Sequence, residues 1–263
     1  MSILTVISEH FDYFLLLFLR VSGVLVESPV FGRKNVPGVS KIGFCGVLTL
    51  IFIMSIPAPE HYPVYGNLFE YALLCLRELF FGAAIGFVLT AMFDVTLTAG
   101  SIMDYQIGFN MAGIYDVQEN VQSPLSGSLF NLMLLIIFFS VNGHLKLIDI
   151  LYHTVETVPI GTAAAAPEIL WAAAEVVSKS FVLSVMVAMP VLAAGLITEI
   201  ALGATVRTVP QLNMFVVGIP VKIIIGLLML ALTLTVFADF SKIIINKAFD
   251  MIGTMFEYLG SMP

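Results

Sequence analysis

Long apolar blocks limit what this chain can fold into. The chain has 263 residues, of which 59% are hydrophobic and 11% are charged, whereas a soluble domain carries about 25% charged residues. A helix that crosses a bilayer needs roughly 20 apolar residues, so the blocks predict about five or six membrane-type helices in an all-α fold. They leave no room for a separate soluble domain, and they lie near residues 11–26, 40–56, 68–93, 124–152, 170–198 and 214–238.

The remaining composition argues against several classes of function. The net charge of −7 disfavours a nucleic-acid-binding protein, which presents a basic surface. The sequence has no phosphate-binding loop of the form GxxxxGK[ST] and no HExxH, and its four histidines are scattered. We therefore predict a chain without catalytic residues, cofactor or metal.

The tripeptide "NGH" at 142–144 closes one of the apolar blocks. It predicts the end of a helix, with Gly143 in the left-handed conformation and His144 near the last carbonyls.

The distribution of basic residues does not fit a simple series of membrane spans. Arg33, Lys34 and Lys41 mark the 33–41 loop as cytoplasmic, because Lys and Arg are enriched in cytoplasmic loops. From Glu78 to Leu145, however, the chain contains neither Lys nor Arg. Helices that partner proteins shield from lipid obey the charge rule less strictly, so this pattern favours a subunit of a larger assembly.

Several ionisable residues lie inside or beside apolar sequence, where a charge at the centre of a bilayer costs about 2.5–3.5 kcal/mol. Arg77 and Glu78 are adjacent, so they point about 100° apart on a helix and need partners elsewhere. An ion or proton relay and ion pairing between helices or subunits are both open, and we favour pairing. The residues in this set are Arg20, Arg77, Glu78, Glu199, Arg207 and Lys222.

The segment "QIGFNMAGIYD" at 106–116 is too broken by Gly, Asn and Asp to span a bilayer and too apolar for a solvated loop. Irregular backbone at membrane depth is tolerated where protein buries it or where it lines a cavity. Gly108 and Gly113 permit positive φ and close backbone approach. The residues alone leave two readings open, a helix–helix interface and a cavity-lining segment.

Five motifs in order give the chain a family resemblance. They closely resemble the FliR family of flagellar biosynthetic proteins, a component of the export gate in type III secretion systems. The resemblance covers residues from about 11 to 240, with one departure, Val117 after Asp116 where the family usually has proline. The motifs are "SPVFGRKNVPGVSKIG" (28–43), "RELFFGAAIGFVL" (77–89), "AGSIMDYQIGFNMAGIYD" (99–116), "FFSVNGHLKLIDIL" (138–151) and "ALGATVRTVPQLNMFVVGIPVKIIIGLLML" (201–230).

The resemblance implies an architecture and a set of partners. Family members are built of tilted and broken helical hairpins, and they assemble with FliP and FliQ subunits into a helical pore. The pore lies in the bacterial inner membrane, within the flagellar basal body, with FlhB at its cytoplasmic entrance. Unfolded flagellar export substrates cross the lipid bilayer through it. This implies a single export-gate domain over 1–263, with a FliP-like portion at 1–160 and a FliQ-like portion at 161–263.

The resemblance also implies a role for the broken segment. In the family, the loop that matches 106–122 projects into the pore as a plug, and hydrophobic constrictions can close a pore by excluding water. The implied plug residues are Gln106, Gly108, Phe109, Asn110, Met111, Gly113, Ile114 and Asp116.

Two alternative functions stay open at this point. One is the homologous export gate of a virulence injectisome, which shares the architecture. The other belongs to a different class, a stand-alone secondary transporter with helices broken around Gly108 and Gly113. A transporter of that kind predicts inverted internal repeats, and the sequence has none that we detect.

Overall fold

The computed structural model describes residues 11–33, 35–56, 62–109, 124–163, 169–209 and 214–260. Within these ranges the regular structure is entirely helical, which confirms the all-α prediction. The helices are α1 (Phe11–Glu27), α2 (Gly38–Ser55), α3 (Leu68–Ile107), α4 (Leu125–Ser140), α5 (Gly143–Thr157), α6 (Ile169–Thr208) and α7 (Met214–Gly260).

Three of the helices are much longer than a bilayer requires. α3 and α6 have 40 residues each and α7 has 47. At 1.5 Å per residue they are about 60 to 70 Å long, roughly twice the 30 Å hydrocarbon core. α3 continues well beyond residue 93, where the apolar block ended, and later polar side chains such as Thr96 bond to the helix's own carbonyls.

The described residues form an all-α membrane protein. Four helices are long and apolar enough to cross a membrane, namely α2, α3, α6 and α7, and α4 with α5 makes a fifth if that bent pair counts as one span. The apolar blocks of the sequence allowed a sixth span. The remaining block corresponds to α1, of which the structure describes 17 residues.

The chain breaks between α4 and α5, at residues 141 and 142. The prediction that Gly143 takes the left-handed conformation is wrong, because Asn142 takes it, with φ 57°, and Gly143 begins α5. Asparagine is one of the few residues with a side chain that adopts this conformation readily. The apolar block at 124–152 is therefore two helices separated by a short break.

The structure divides into two compact units. The first contains the described residues of 1–92, 142–177 and 246–263. Within it α1 packs on α2 and on α3. A Cβ atom at Gly23 would lie 2.6 Å from the Leu79 carbonyl oxygen and 2.9 Å from the Ala83 nitrogen. The α1 and α3 backbones therefore approach as closely as backbones do in small-residue membrane helix interfaces.

The second unit contains the described residues of 93–141 and 178–245. Its core is aromatic: Phe93 packs edge-on against Phe138 at 5.5 Å between ring centroids, and Phe130 against Phe237 at 4.6 Å. Such edge-to-face pairs are a favoured aromatic geometry. The α3 and α4 backbones touch at Gly100 and Gly127, where neither residue has room for a side chain.

Candidate functional site

A fully buried ion pair joins α1 to α3 in the first unit. Arg20 Nε donates to Glu78 Oε2 at 2.6 Å, and Arg20 Nη2 donates to Glu78 Oε1 at 3.2 Å. Neither side chain has solvent exposure. Two parallel bonds between a guanidinium and a carboxylate give the pair a fixed orientation as well as attraction.

The rest of the Arg20 guanidinium holds the end of α5. Its Nη1 donates to the carbonyl oxygens of Thr154 at 3.0 Å and Val158 at 2.8 Å, and the group lies 4.3 Å from the centre of the Phe81 ring. The Thr154 carbonyl also accepts the Val158 N–H at 3.0 Å. The C-terminal end of a helix carries partial negative charge, so a cation there is stabilising.

Glu78 makes one further bond, to the turn that follows α5. The Gly161 N–H donates to Glu78 Oε1 at 2.8 Å. Gly161 has φ +90°, and Pro63 packs where its side chain would be. One ion pair thus ties together α1, α3, α5 and the 158–163 turn. Fixed groups of the protein accept from Arg20 and donate to Glu78. The geometry is therefore that of a structural ion pair.

Two of the predicted charged residues take no part in this pair. Arg77 is adjacent to Glu78 but is exposed, because neighbouring positions on a helix point in different directions. Arg207 is exposed in the last turn of α6.

The second unit contains its own ion pair between helices. Lys222 of α7 donates to the carboxylate of Glu199 on α6. The Lys222 side chain is 24% exposed and that of Glu199 is 46% exposed, so this pair lies nearer the surface than the Arg20–Glu78 pair.

The predicted plug segment begins where α3 ends. Gly108 has φ +95°, and the N–H groups of Gly108 and Phe109 both donate to the Asp104 carbonyl oxygen at 3.0 Å. A glycine in this conformation with a doubled bond of this kind is a common helix terminator. The helix α3 therefore still includes Gln106, and the chain leaves it only at Gly108.

The last turn of α3 is anchored on both sides. Gln106 packs on Gly195 of α6, and Ile107 packs on Gly226 of α7, where a Cβ atom would lie 2.6 Å from Ile107 Cγ1. The Asp104 carboxylate accepts the Ser126 N–H at 3.2 and 3.3 Å. Asp104 precedes the segment and Ser126 follows it, so the chain leaves and returns at neighbouring points.

Five of the predicted plug residues lie outside the described residues. They are Asn110, Met111, Gly113, Ile114 and Asp116. Of the described ones, Gly108 and Phe109 are half-buried and Gln106 is buried. In the part of the chain that the structure describes, no group of three His, Cys, Asp or Glu residues is placed to hold a metal ion.

Comparison with known families adds an independent observation. The family model described as "Bacterial export proteins, family 1" matches residues 11–248. The chain belongs to this family. The resemblance carried by the five sequence motifs is thereby confirmed.

The relatives of this family member come from both flagellar and other translocation systems. The chain is 34% identical to the flagellar biosynthetic protein FliR of Bacillus subtilis (strain 168), over 88% of this chain and 89% of the relative. It is 28% identical to FliR of Escherichia coli (strain K12), over 92% and 91%. It is also 29% identical to the Yop proteins translocation protein T of Yersinia pestis, over 82% and 84%.

Sequence reasoning missed several residues that build these sites. Gly23 and Gly82 allow α1 and α3 to approach, and Asp104 closes the segment onto Ser126. The spacing of Gly82 and Gly86, four residues apart in an apolar run, is the signal that could have indicated close helix packing. No local pattern indicates that Arg20 holds the Thr154 and Val158 carbonyls, because those groups lie more than 130 positions away in the chain.

Replacing Arg20 by methionine tests the buried pair. Arg20→Met leaves the Glu78 carboxylate buried without its cation, and we expect the free energy of unfolding to fall by about 3–5 kcal/mol. The matched control is Arg77→Met, next to Glu78 but exposed, which should change it by less than about 0.5 kcal/mol. The measurement is the thermal unfolding midpoint of the detergent-solubilised chain. Equal midpoints for the two variants would contradict the assignment.

Proposed function

We propose that the chain is a structural subunit of a flagellar type III protein export gate in the bacterial inner membrane. It forms, with FliP and FliQ subunits, the channel through which unfolded flagellar subunits leave the cytoplasm, and FlhB lies at the entrance. The observation that carries this proposal is membership of the bacterial export family together with 34% identity to a FliR over nearly the whole length of both chains.

The exposed apolar surface of the chain favours a function within an assembly of several subunits. Exposed large apolar side chains run along α6 and α7, for example Phe181, Ile197 and Leu228 at 58%, 68% and 58% exposure. Apolar patches of this size mark contact with lipid or with other proteins. Helices about 60 to 70 Å long exceed the bilayer, so part of this apolar surface needs protein partners to cover it.

We propose the same assembly roles for the individual parts of the chain. The portion at 1–160 takes a FliP-like place and the portion at 161–263 a FliQ-like place in a helical array of subunits. The Lys222–Glu199 pair fixes two helices within the subunit. Arg77 and Arg207, exposed on α3 and α6, are available for contacts between subunits. The chain itself carries out no catalysis in this proposal.

The segment after α3 has the role of a pore plug in this proposal. The anchored turn at Gln106 and Ile107 fixes its start, and Gly108 redirects the backbone. Phe109, Met111 and Ile114 supply apolar side chains, which favour closure by dewetting. Methionine suits a plug that must yield, because its unbranched side chain repacks easily.

A second candidate function is the export gate of a virulence injectisome. The 29% identity to the Yersinia pestis translocation protein T favours it, at similar coverage. The two candidates share the channel chemistry and differ in the proteins that are exported.

Deleting the gene tests the proposed function. We expect flagellar subunits to disappear from the culture medium, because the export channel lacks a subunit, while signal-peptide-dependent secretion continues. The measurement is the amount of secreted flagellar protein by immunoblot, with the intact gene returned as control. Loss of injected effector proteins with normal flagellar secretion would favour the second candidate. Unchanged secretion of both classes would contradict the export function and leave the transporter reading.

Polar substitutions in the segment test the plug. Phe109→Ser, Met111→Ser and deletion of 108–114 should each raise the ion conductance of membranes that hold the assembled complex, because a polar constriction stays wet. The matched control is Val64→Ser, at a 95% exposed position in the connection before α3. Conductance is measured in planar bilayers containing the purified complex. A conductance equal to that of the control, in a fully assembled complex, would contradict the plug.

A further inference from the structure

The surface of α3 in the second unit is polar. Among residues 93–107, the exposed positions are Asp94, Ser101 and Tyr105, and each carries a polar group. Thr98 lies half-buried between them. Residues spaced by 4, 3 and 4 positions fall on one side of a helix, so the four form a single stripe. We refer to Asp94, Thr98, Ser101 and Tyr105 as the polar stripe.

The opposite side of the same helix is buried and largely apolar. Val95, Ala99 and Met103 are each exposed by 1% or less. The stripe is therefore the most exposed side of this part of α3, and the half-buried Leu97 and Ile102 border it.

The neighbouring helices are apolar at the same height as the stripe. Asn131 of α4 donates to Thr96 Oγ1 at 3.2 Å, which sets this turn of α4 beside the turn of α3 that contains Asp94. The next residue of α4, Leu132, is 52% exposed. A carboxylate and an aliphatic side chain thus face outward at one level.

The pattern repeats at two further levels. The Gly100–Gly127 contact puts Leu129, 40% exposed, near the height of Ser101. The Gln106–Gly195 contact puts Ile197, 68% exposed, near the height of Tyr105, which is 75% exposed. At the first and third levels the exposed side chain of α3 is polar while that of α4 or α6 is aliphatic, and at the second level the aliphatic Leu129 lies next to the exposed Ser128.

Exposure to lipid does not explain why α3 exposes polar side chains where α4 and α6 expose aliphatic ones. A carboxylate that faces hydrocarbon costs about 2.5–3.5 kcal/mol, whereas leucine and isoleucine on the same level are at no disadvantage there. Charged residues within membrane-type helices face a bundle interior or a water-filled cavity. Because the stripe is not covered by its own unit, the second of these fits.

We propose that the polar stripe lines a water-filled cavity at membrane depth, on the side of α3 that leads to Gly108. With the proposed function, on which this part rests, the stripe is a section of the wall along which the exported chain moves. The hydroxyl groups and the carboxylate of the stripe leave a passing unfolded chain less apolar surface to adhere to than the aliphatic faces of α4 and α6 would. The aliphatic surfaces of α4 and α6 at the same height face lipid or apolar partner surfaces.

Cysteine labelling tests the cavity directly. The native Cys45 and Cys75 are first replaced by alanine, and single cysteines are then placed at Asp94, Ser101 and Tyr105. Matched controls at the same heights are Leu132→Cys, Leu129→Cys and Ile197→Cys. Open membrane fragments that carry the assembled complex are treated with a sulfonated maleimide, which does not enter lipid and reacts with the ionised thiol.

We expect the stripe cysteines to react at least about tenfold faster than their controls, because each unit by which an apolar setting raises a thiol pKa lowers the thiolate fraction about tenfold. Equally slow labelling at all six positions would overturn the proposal, since the stripe would then be packed against a partner. Equally fast labelling would also overturn it, since this part of the unit would then lie outside the bilayer. Labelling after denaturation in SDS confirms that every cysteine is present.

The export function is read separately in the same cells. Flagellar secretion by the cysteine-free chain shows whether the complex works. Normal secretion with equal labelling rates at all six positions contradicts the proposed cavity but not the export function. Selective labelling of a chain that has no role in secretion contradicts the export function but not the cavity.

Discussion

The buried ion pair between Arg20 and Glu78 is the interaction on which the first unit depends. A charge removed from water is costly unless its partner and its remaining hydrogen bonds are supplied. Here the guanidinium meets one carboxylate and two helix-end carbonyls, and the carboxylate also accepts the Gly161 N–H. α1, α3, α5 and the following turn must all be in place for this set of bonds to be complete. The glycines at 23 and 82 bring the α1 and α3 backbones close enough for it to form.

The second unit obeys a related constraint at the end of α3. Asp104 holds the start of α4 through the Ser126 N–H, and Gly100 meets Gly127 one turn earlier. Gln106 and Ile107 lie against glycines of α6 and α7. The segment that follows α3 therefore starts from a fixed position. The proposed plug needs this property, because it must close the channel in the same position each time.

The sequence predicted the membrane-type helices because long apolar runs have few other solutions, and the family followed from five motifs in order. It did not predict that α3 reaches Ile107, since Thr96, Asp104 and Gln106 look unfavourable in a span until their helix neighbours are known. It misplaced the left-handed residue between α4 and α5, because asparagine and glycine both permit that conformation. The embedded charges were recognisable as needing partners, but Arg20 and Glu78 lie 58 positions apart, and only the packing of helices brings them together.

The central claim is that this chain works as one subunit of a multi-protein gate. The most direct test is native mass spectrometry of the tagged chain, purified from its own membranes in a mild detergent. We expect a single assembly that contains this 28.6 kDa chain together with FliP-like and FliQ-like subunits. Recovery of this chain from those membranes only as a single copy, with no other subunit bound, would contradict the claim.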